Sequence, residues 1–350
     1  MPAVQSIVTR MKRYAACIGL SVVSCLVPLA FCACSTGANK DKPSPAGTTV
    51  PSGEKPVFPA VTFIHEMSPV GDMMRAFGEQ AGGGFVLMSG LEERAVPKVE
   101  FQKQPYEQAI AHFASAVDCI HTHTPYYYLV VPPEYQQLEA VSLAAKLDTT
   151  YASMNVSAAF GAKTELFIVL AALSESLDIT VVADNFIAES CCGEVHLPEA
   201  PLAVILEAIL QSARIPPDTL VVESTAEYIF LRAARNESQA SLRLDTGSLT
   251  AEQSALLDKE VSLSLPGVPG DKEGLIFAFE PIALREALYP VSEQLGIKVV
   301  AQRRLVDIPV NPVVIKKVRL ETAMNLLIRQ WPLTGFCWEL QANRILIREQ

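Results

Sequence analysis

Three times along this chain the apolar residues fall into one order: short strand, amphipathic helix, strand, strand, helix, strand, strand. The pattern is clearest from Asp178 to Arg214. Ile179-Thr-Val-Val-Ala183 has the length and composition of a strand, and a second strand ends in Gly193-Glu-Val-His-Leu-Pro198. Pro201 then opens a run in which Leu202, Ile205, Leu206, Ile209 and Leu210 return at helical spacing. Proline suits the first helical turn, where its missing N–H would have no partner anyway. One face of that helix must be core.

The first copy spans 59–135, with strands at Val61–Ile64, Phe85–Met88, Lys98–Phe101, Cys119–Thr122 and Tyr126–Val131 and helices at Val70–Gln80 and Pro105–Val117. The second spans 154–234, with strands at Met154–Ala158, Ile179–Ala183, Glu194–Leu197, Leu220–Glu223 and Tyr228–Leu231 and helices at Thr164–Leu177 and Pro201–Arg214. The third, 275–350, places strands at Leu275–Phe279, Ile297–Ala301, Val313–Val318, Phe336–Leu340 and Arg344–Ile347 around helices Ala283–Leu295 and Leu320–Gln330. Pro290 predicts a kink or an early start in the first of those helices. Between the copies, 136–153 reads as a short helical connector. Residues 235–274 read as a linker, with a helix near Thr250–Glu260 and a Pro266-Gly-Val-Pro-Gly270 run. The copies begin at uneven intervals, near 61, 154 and 275. That spacing predicts separate beads rather than a solenoid of fixed period. The expected fold class is α+β, three small modules in a row.

Half of the residues are hydrophobic and 19% are charged, so a chain of 350 residues has ample material for buried cores. Its formal net charge is −10, and the only charges before Cys34 are Arg10, Lys12 and Arg13, so cleavage there would leave −13. Nucleic acid is therefore not an expected partner, because backbone binding relies on excess Lys and Arg.

Met11-Lys-Arg13 followed by an apolar run from Ala15 to Phe31 reads as an export signal, 1–33. The run is short for a spanning helix and contains Pro28. The sequence Leu29-Ala-Phe-Cys32-Ala-Cys34-Ser-Thr-Gly resembles a bacterial lipobox, with small Ala33 before Cys34 as the residue to be acylated. Phe31 stands where leucine is usual. Ordinary signal cleavage without lipid is the other reading of the same stretch. Residues 34–58, rich in Ser, Thr, Gly, Asn, Lys and Pro, read as a tether behind the acylated cysteine. By resemblance, Ser35 after that cysteine implies passage to the outer membrane, facing the periplasm.

The repeated unit resembles the secretin and TonB short N-terminal domain and the ring domains of secretins. The third copy carries the resemblance through Leu288–Leu295-Gly296-Ile297-Lys-Val-Val300, Val318-Arg-Leu320-Glu321-Thr-Ala323-Met-Asn-Leu326-Leu327 and Trp338-Glu-Leu with Arg344-Ile-Leu-Ile347. The second matches through Leu177–Val182, Val195-His-Leu197 and Ala200-Pro-Leu202 to Leu210. The first matches through Gln80-Ala-Gly82 to Leu87 and Pro105–Ile110. This resemblance implies a non-enzymatic envelope lipoprotein, docking through its modules to secretin-type secretion or pilus machinery or to like modules. With Gln350 closing the third copy, neither a complete secretin nor a TonB-dependent transporter is expected.

No catalytic constellation, metal set or cofactor motif emerges. His121-Thr-His123 shares one strand face but lacks a third ligand. His65-Glu66 is an isolated pair. Cys119, Cys191, Cys192 and Cys337 are either free thiols or bridged, four cysteines allowing three pairings. Tyr126-Tyr-Tyr128 with Tyr106 offers either core packing or a sugar-stacking platform. The platform is the basis of an alternative reading, a ligand- or cell-wall-glycan-binding lipoprotein.

Overall fold

The computed structural model describes residues 55–135, 142–235, 242–244, 249–265, 267–268, 276–277, 281–331, 335–342 and 344–349, all within one unit. Helices and several small sheets alternate, an α+β fold. The first stretch runs β1 (Val61–His65), β2 (Ser68–Pro69), α1 (Val70–Ala81), β3 (Phe85–Leu87), β4 (Ala95–Val96), β5 (Val99–Gln104), α2 (Tyr106–Ala116), β6 (Ile120–His123) and β7 (Tyr128–Val131). The second runs α3 (Thr149–Ala152), β8 (Asn155–Phe160), α4 (Leu166–Leu177), β9 (Val181–Ala183), α5 (Asn185–Ala188), β10 (Val195–Pro201), α6 (Leu202–Ser212), β11 (Leu220–Ser224) and β12 (Ile229–Ala233). The third runs α7 (Ala251–Leu257), β13 (Glu260–Leu265), β14 (Gly267–Val268), β15 (Ile276–Phe277), β16 (Ile282–Ala283), α8 (Leu284–Leu295), β17 (Lys298–Ala301), β18 (Pro309–Val310), β19 (Val313–Arg319), α9 (Leu320–Arg329), β20 (Phe336–Gln341) and β21 (Arg344–Glu349).

Pairing repeats along with element order. β1, β8 and β13 run antiparallel to β5, β10 and β19, each pair with a register shift near its start. β3, β9 and β17 pair in parallel with β7, β12 and β21, which pair antiparallel with β6, β11 and β20. A small antiparallel bridge precedes or opens each first helix: β2 with β4, Glu165 with Cys191, β16 with β18.

Local chemistry explains the recurrence. α1, α4 and α8 are each 12 residues long and end on a left-handed residue: Gly82 (φ 66°), Asp178 (φ 56°) and Gly296 (φ 68°). Glycine takes that conformation without a Cβ penalty, and Asp tolerates it better than most residues. Four positions earlier, Ser174 Oγ donates to the Val181 carbonyl (3.2 Å) and accepts from its N–H (2.9 Å). Ser292 does the same to Val299, at 3.3 and 2.9 Å. The hydroxyl thus fastens helix to strand in both copies. In the first copy that position is Gly78, and the Phe85 ring fills the space, 2.6 Å from where a Cβ would stand.

Apolar faces then decide the packing. Leu202, Ile205, Leu206, Ile209 and Leu210 of α6 are all within 1% of full burial, each stabilising the fold by roughly 2 kcal/mol. Pro290 is taken into α8 without ending it.

Three boundaries differ from the sequence expectation. Separate beads are not what forms in the first two copies: β3 pairs antiparallel with β10, giving a five-stranded sheet in the order β6-β7-β3-β10-β8 over one shared core. The apolar residues of β3 are buried on both faces, which two isolated beads could not achieve. The third copy begins earlier than 275, because β13, inside the expected linker 235–274, is the strand that pairs with β19. Its alternation of buried Val261, Leu263 and Leu265 with more exposed neighbours was hidden by the polar and Pro-Gly residues flanking it. In that same linker Arg243 bridges Trp338, and Thr250 caps α7 with a reciprocal Gln253 box. Finally, the end of the expected tether is docked: Phe58 packs on Tyr106 and Tyr128, at 4.8 and 6.4 Å between ring centres, and Pro56 is buried.

Candidate functional site

The chemistry of this chain concentrates where one copy meets the next. At the first junction, Val86 and Phe85 of β3 face Val195 and His196 of β10, and the Leu87 N–H donates to the Glu194 carbonyl at 2.8 Å. Gly193 permits this approach, since a Cβ there would lie 1.8 Å from the Leu87 carbonyl oxygen. His196 stacks on Phe85, ring centres 5.8 Å apart, and donates through Nδ1 to the Gly83 carbonyl at 3.0 Å. From α1, Arg75 donates through Nε and Nη2 to the two oxygens of Glu194, each at 2.8 Å. Glu194 also accepts from the Ala162 N–H at 2.8 Å, so a carboxylate only 4% exposed has three donors. Bidentate pairing of this kind fixes both distance and orientation.

At the second junction a side chain replaces the backbone ladder. Thr180, just before β9, donates through Oγ1 to the Lys316 carbonyl (2.9 Å) and accepts from the Lys316 N–H (2.7 Å). α4 packs across β19, and Lys316 Nζ reaches Glu175 at 2.7 Å. Val182 and Phe230, from the second copy, are built into the core of the third. Arg329, 1% exposed at its side chain, lies over the Phe230 ring (4.3 Å to its centre) and pairs with Glu223. Burial pushes the Glu223 carboxyl up, but hydrogen bonds from Arg329 and Arg232 overcome this and hold it below the usual range. Glu227 follows the same balance, with Arg319 and Thr322 as donors. Glu227, Arg319, Thr322 and Arg329 line a cleft of about 480 Å³ with Thr225, Tyr228, Glu321 and Asn325. Its cations are matched by carboxylates, which suits a cemented joint.

The residues singled out in the sequence fall elsewhere. His121 and His123 sit on β6, each with its ring centre 6.2 Å from that of Tyr128, and the nearest carboxylate oxygen to His121 is that of Glu107 at 3.9 Å. His65 bonds to the adjacent Glu66 carbonyl at 2.8 Å, and Glu66 pairs with Lys98. No group of three metal-binding side chains occurs among the described residues. Cys119, Cys191, Cys192 and Cys337 are free thiols, all but Cys191 buried. Burial raises every one of them, Cys192 to about 12, so none is a thiolate at neutral pH. Tyr106, Tyr127 and Tyr128 are 3%, 1% and 3% exposed, and the Tyr127 hydroxyl donates to Gln211 at 2.7 Å. They form core and junction, and no sugar-stacking platform remains on that strand beyond half-buried Tyr126. Cys34, with the export signal and residues 34–54 of the tether, lies outside the described residues. Among the described residues no helix is long and apolar enough to cross a membrane.

Arg75, Glu194, Gly193 and Thr180 were not singled out by sequence reasoning. A detectable signal existed in the equivalent serines, Ser174 and Ser292, each four residues before the left-handed cap. Comparison of the chain with protein-family models, curated proteins and solved structures found no match.

Proposed function

We propose that this chain is a non-enzymatic lipoprotein of the bacterial cell envelope, anchored through Cys34, whose three secretin-N-like modules dock onto secretin-type secretion or pilus machinery as a scaffold or assembly component. The observation that carries this reading is the recurrence of one pairing pattern in three copies, with apolar and hydrogen-bonding surfaces spent on joining copy to copy. Repeats joined through strand edges present further edges, and an open edge recognises protein through main-chain hydrogen bonds and side-chain pockets. The glycan-binding alternative loses support because three of its four tyrosines, Tyr106, Tyr127 and Tyr128, are buried.

Chemical crosslinking of the full chain in living cells, followed by identification of the covalent partners, tests the proposal. A secretin-type ring protein or a component of its assembly is the expected partner. Recovery of no envelope protein, with retention of the chain on peptidoglycan or glycan beads instead, would contradict it.

A further inference from the structure

Both internal junctions obey one rule: the second repeated strand and first helix of one copy (β3 with α1, β9 with α4) lie on the third repeated strand of the next (β10, β19). A donor surface of this kind is left over on the third copy and an acceptor surface on the first. Counting from the helix caps, Val300 corresponds to Val86 and Val182, and Lys298 to Thr180. On the helix, Tyr289 corresponds to Arg75 and Ala171. Val86 and Val182 are 0% and 2% exposed because the next copy covers them. Val300 is half-buried, Lys298 is exposed and Tyr289 is 67% exposed. Among the described residues β17 has a partner strand on one side only, β21.

At the other end, counting back from the second helix aligns Glu100 with His196 and Val314. His196 packs against Phe85 and Gly78 of the preceding copy, and Val314 is fully buried on the strand that α4 crosses. Glu100 is exposed, as is its cross-strand partner Ile64 at 58%. Of the four large hydrophobic side chains standing exposed among the described residues, Ile64 and Met67 lie at this acceptor end and Tyr289 at the donor end. Buried apolar area is the main drive for association, so their placement on two complementary surfaces points to each other as occupant.

We propose that a second copy of this chain docks head to tail, its β1–β5 face seating under α8 and β17 as β10 seats under α1 and β3. Transferring the register in which Phe85 faces His196 sets Val299 opposite Glu100 and Lys298 against Gln102, the counterpart of Lys316 beside Thr180, with Tyr289 over Met67 and Lys98, the counterparts of Ala162 and Glu194 beside Arg75. The contact is heterologous, so each added copy leaves both end surfaces open and the product is a filament or a closed ring. The inference rests on the docking reading of the modules but not on the identity of any envelope partner.

The test uses the full chain in detergent. Tyr289→Cys and Met67→Cys proteins are oxidised separately and as a mixture, with wild type as the baseline because Cys191 is exposed. A disulfide dimer specific to the mixture, and a ladder from a chain carrying both substitutions, are expected. In sedimentation velocity the mean mass should rise with concentration, and Tyr289→Ala should weaken the association roughly fivefold, the scale of part of one apolar side chain's burial. Absence of the mixed dimer in proteins that melt like wild type, or a mass that does not change with concentration, would overturn self-docking. If crosslinking in cells still captures an envelope protein, that failure leaves the scaffold function standing.

Discussion

Arg75 on α1 clamps Glu194 ahead of β10 through two hydrogen bonds of 2.8 Å, joining positions 119 residues apart. Glu194 is nearly buried while Arg75 keeps 45% of its side-chain exposure. The carboxylate therefore depends on its partners more than the guanidinium does.

Arg75→Ala should destabilise the chain by about 2 kcal/mol, less than a fully buried pair would cost because water still reaches the arginine. Arg75→Ala with Glu194→Gln should cost less than the two single changes summed. A double-mutant cycle from urea unfolding would read this, and a coupling near zero would show that the clamp does not hold the junction.

Glu207 on α6 supplies a pH dependence. Burial pushes its carboxyl up to about 7, against a partial pull downward from the Leu143 N–H that it accepts at 2.6 Å. In the unfolded chain the group ionises near 4.5, so the folded state holds the extra proton between that pH and about 7. Stability from this group is fully present below about 4.5 and is lost as pH rises to about 7, by roughly 3 kcal/mol. Glu207→Gln should flatten that decline. Equal slopes for wild type and variant in unfolding measured from pH 5 to 8 would place the titration elsewhere.

The α+β class was legible because the apolar period of the helices is strong: Val70, Met73, Met74 and Phe77 form one stripe, and all are fully buried. The register of copy against copy was not legible. It depends on Gly193, which matters only because Leu87 approaches from 106 positions earlier, and on Thr180, a small polar residue whose hydroxyl meets Lys316 in another copy. The start of the third copy is not legible because Leu275–Phe279 is a continuous apolar run, whereas Glu260–Leu265 only alternates between polar flanks and is marked out by its pairing with β19. The tyrosines illustrate the same limit. Alternation placed Tyr126 and Tyr128 on one face, but the sequence could not reveal that Phe58 and Tyr106 would cover Tyr128.

Cys34→Ser should release the chain from membranes into the soluble envelope fraction, because anchoring would come from acyl chains on that cysteine. Fractionation together with the intact mass of the mature wild-type protein is the check. A variant that stays with membranes, and a wild type with no added lipid mass, would remove the anchor from the account.

Recognition through open module surfaces is most directly measured by photo-crosslinking in living cells from single positions of the full chain. A photoreactive residue at Ile64 or Val300, on the two open surfaces, should yield protein adducts, including adducts between copies. The same residue at Val182, inside the second junction, should yield only crosslinks within the chain. If Ile64 and Val300 give no protein adduct in a chain that is folded and exported, docking through these surfaces is contradicted.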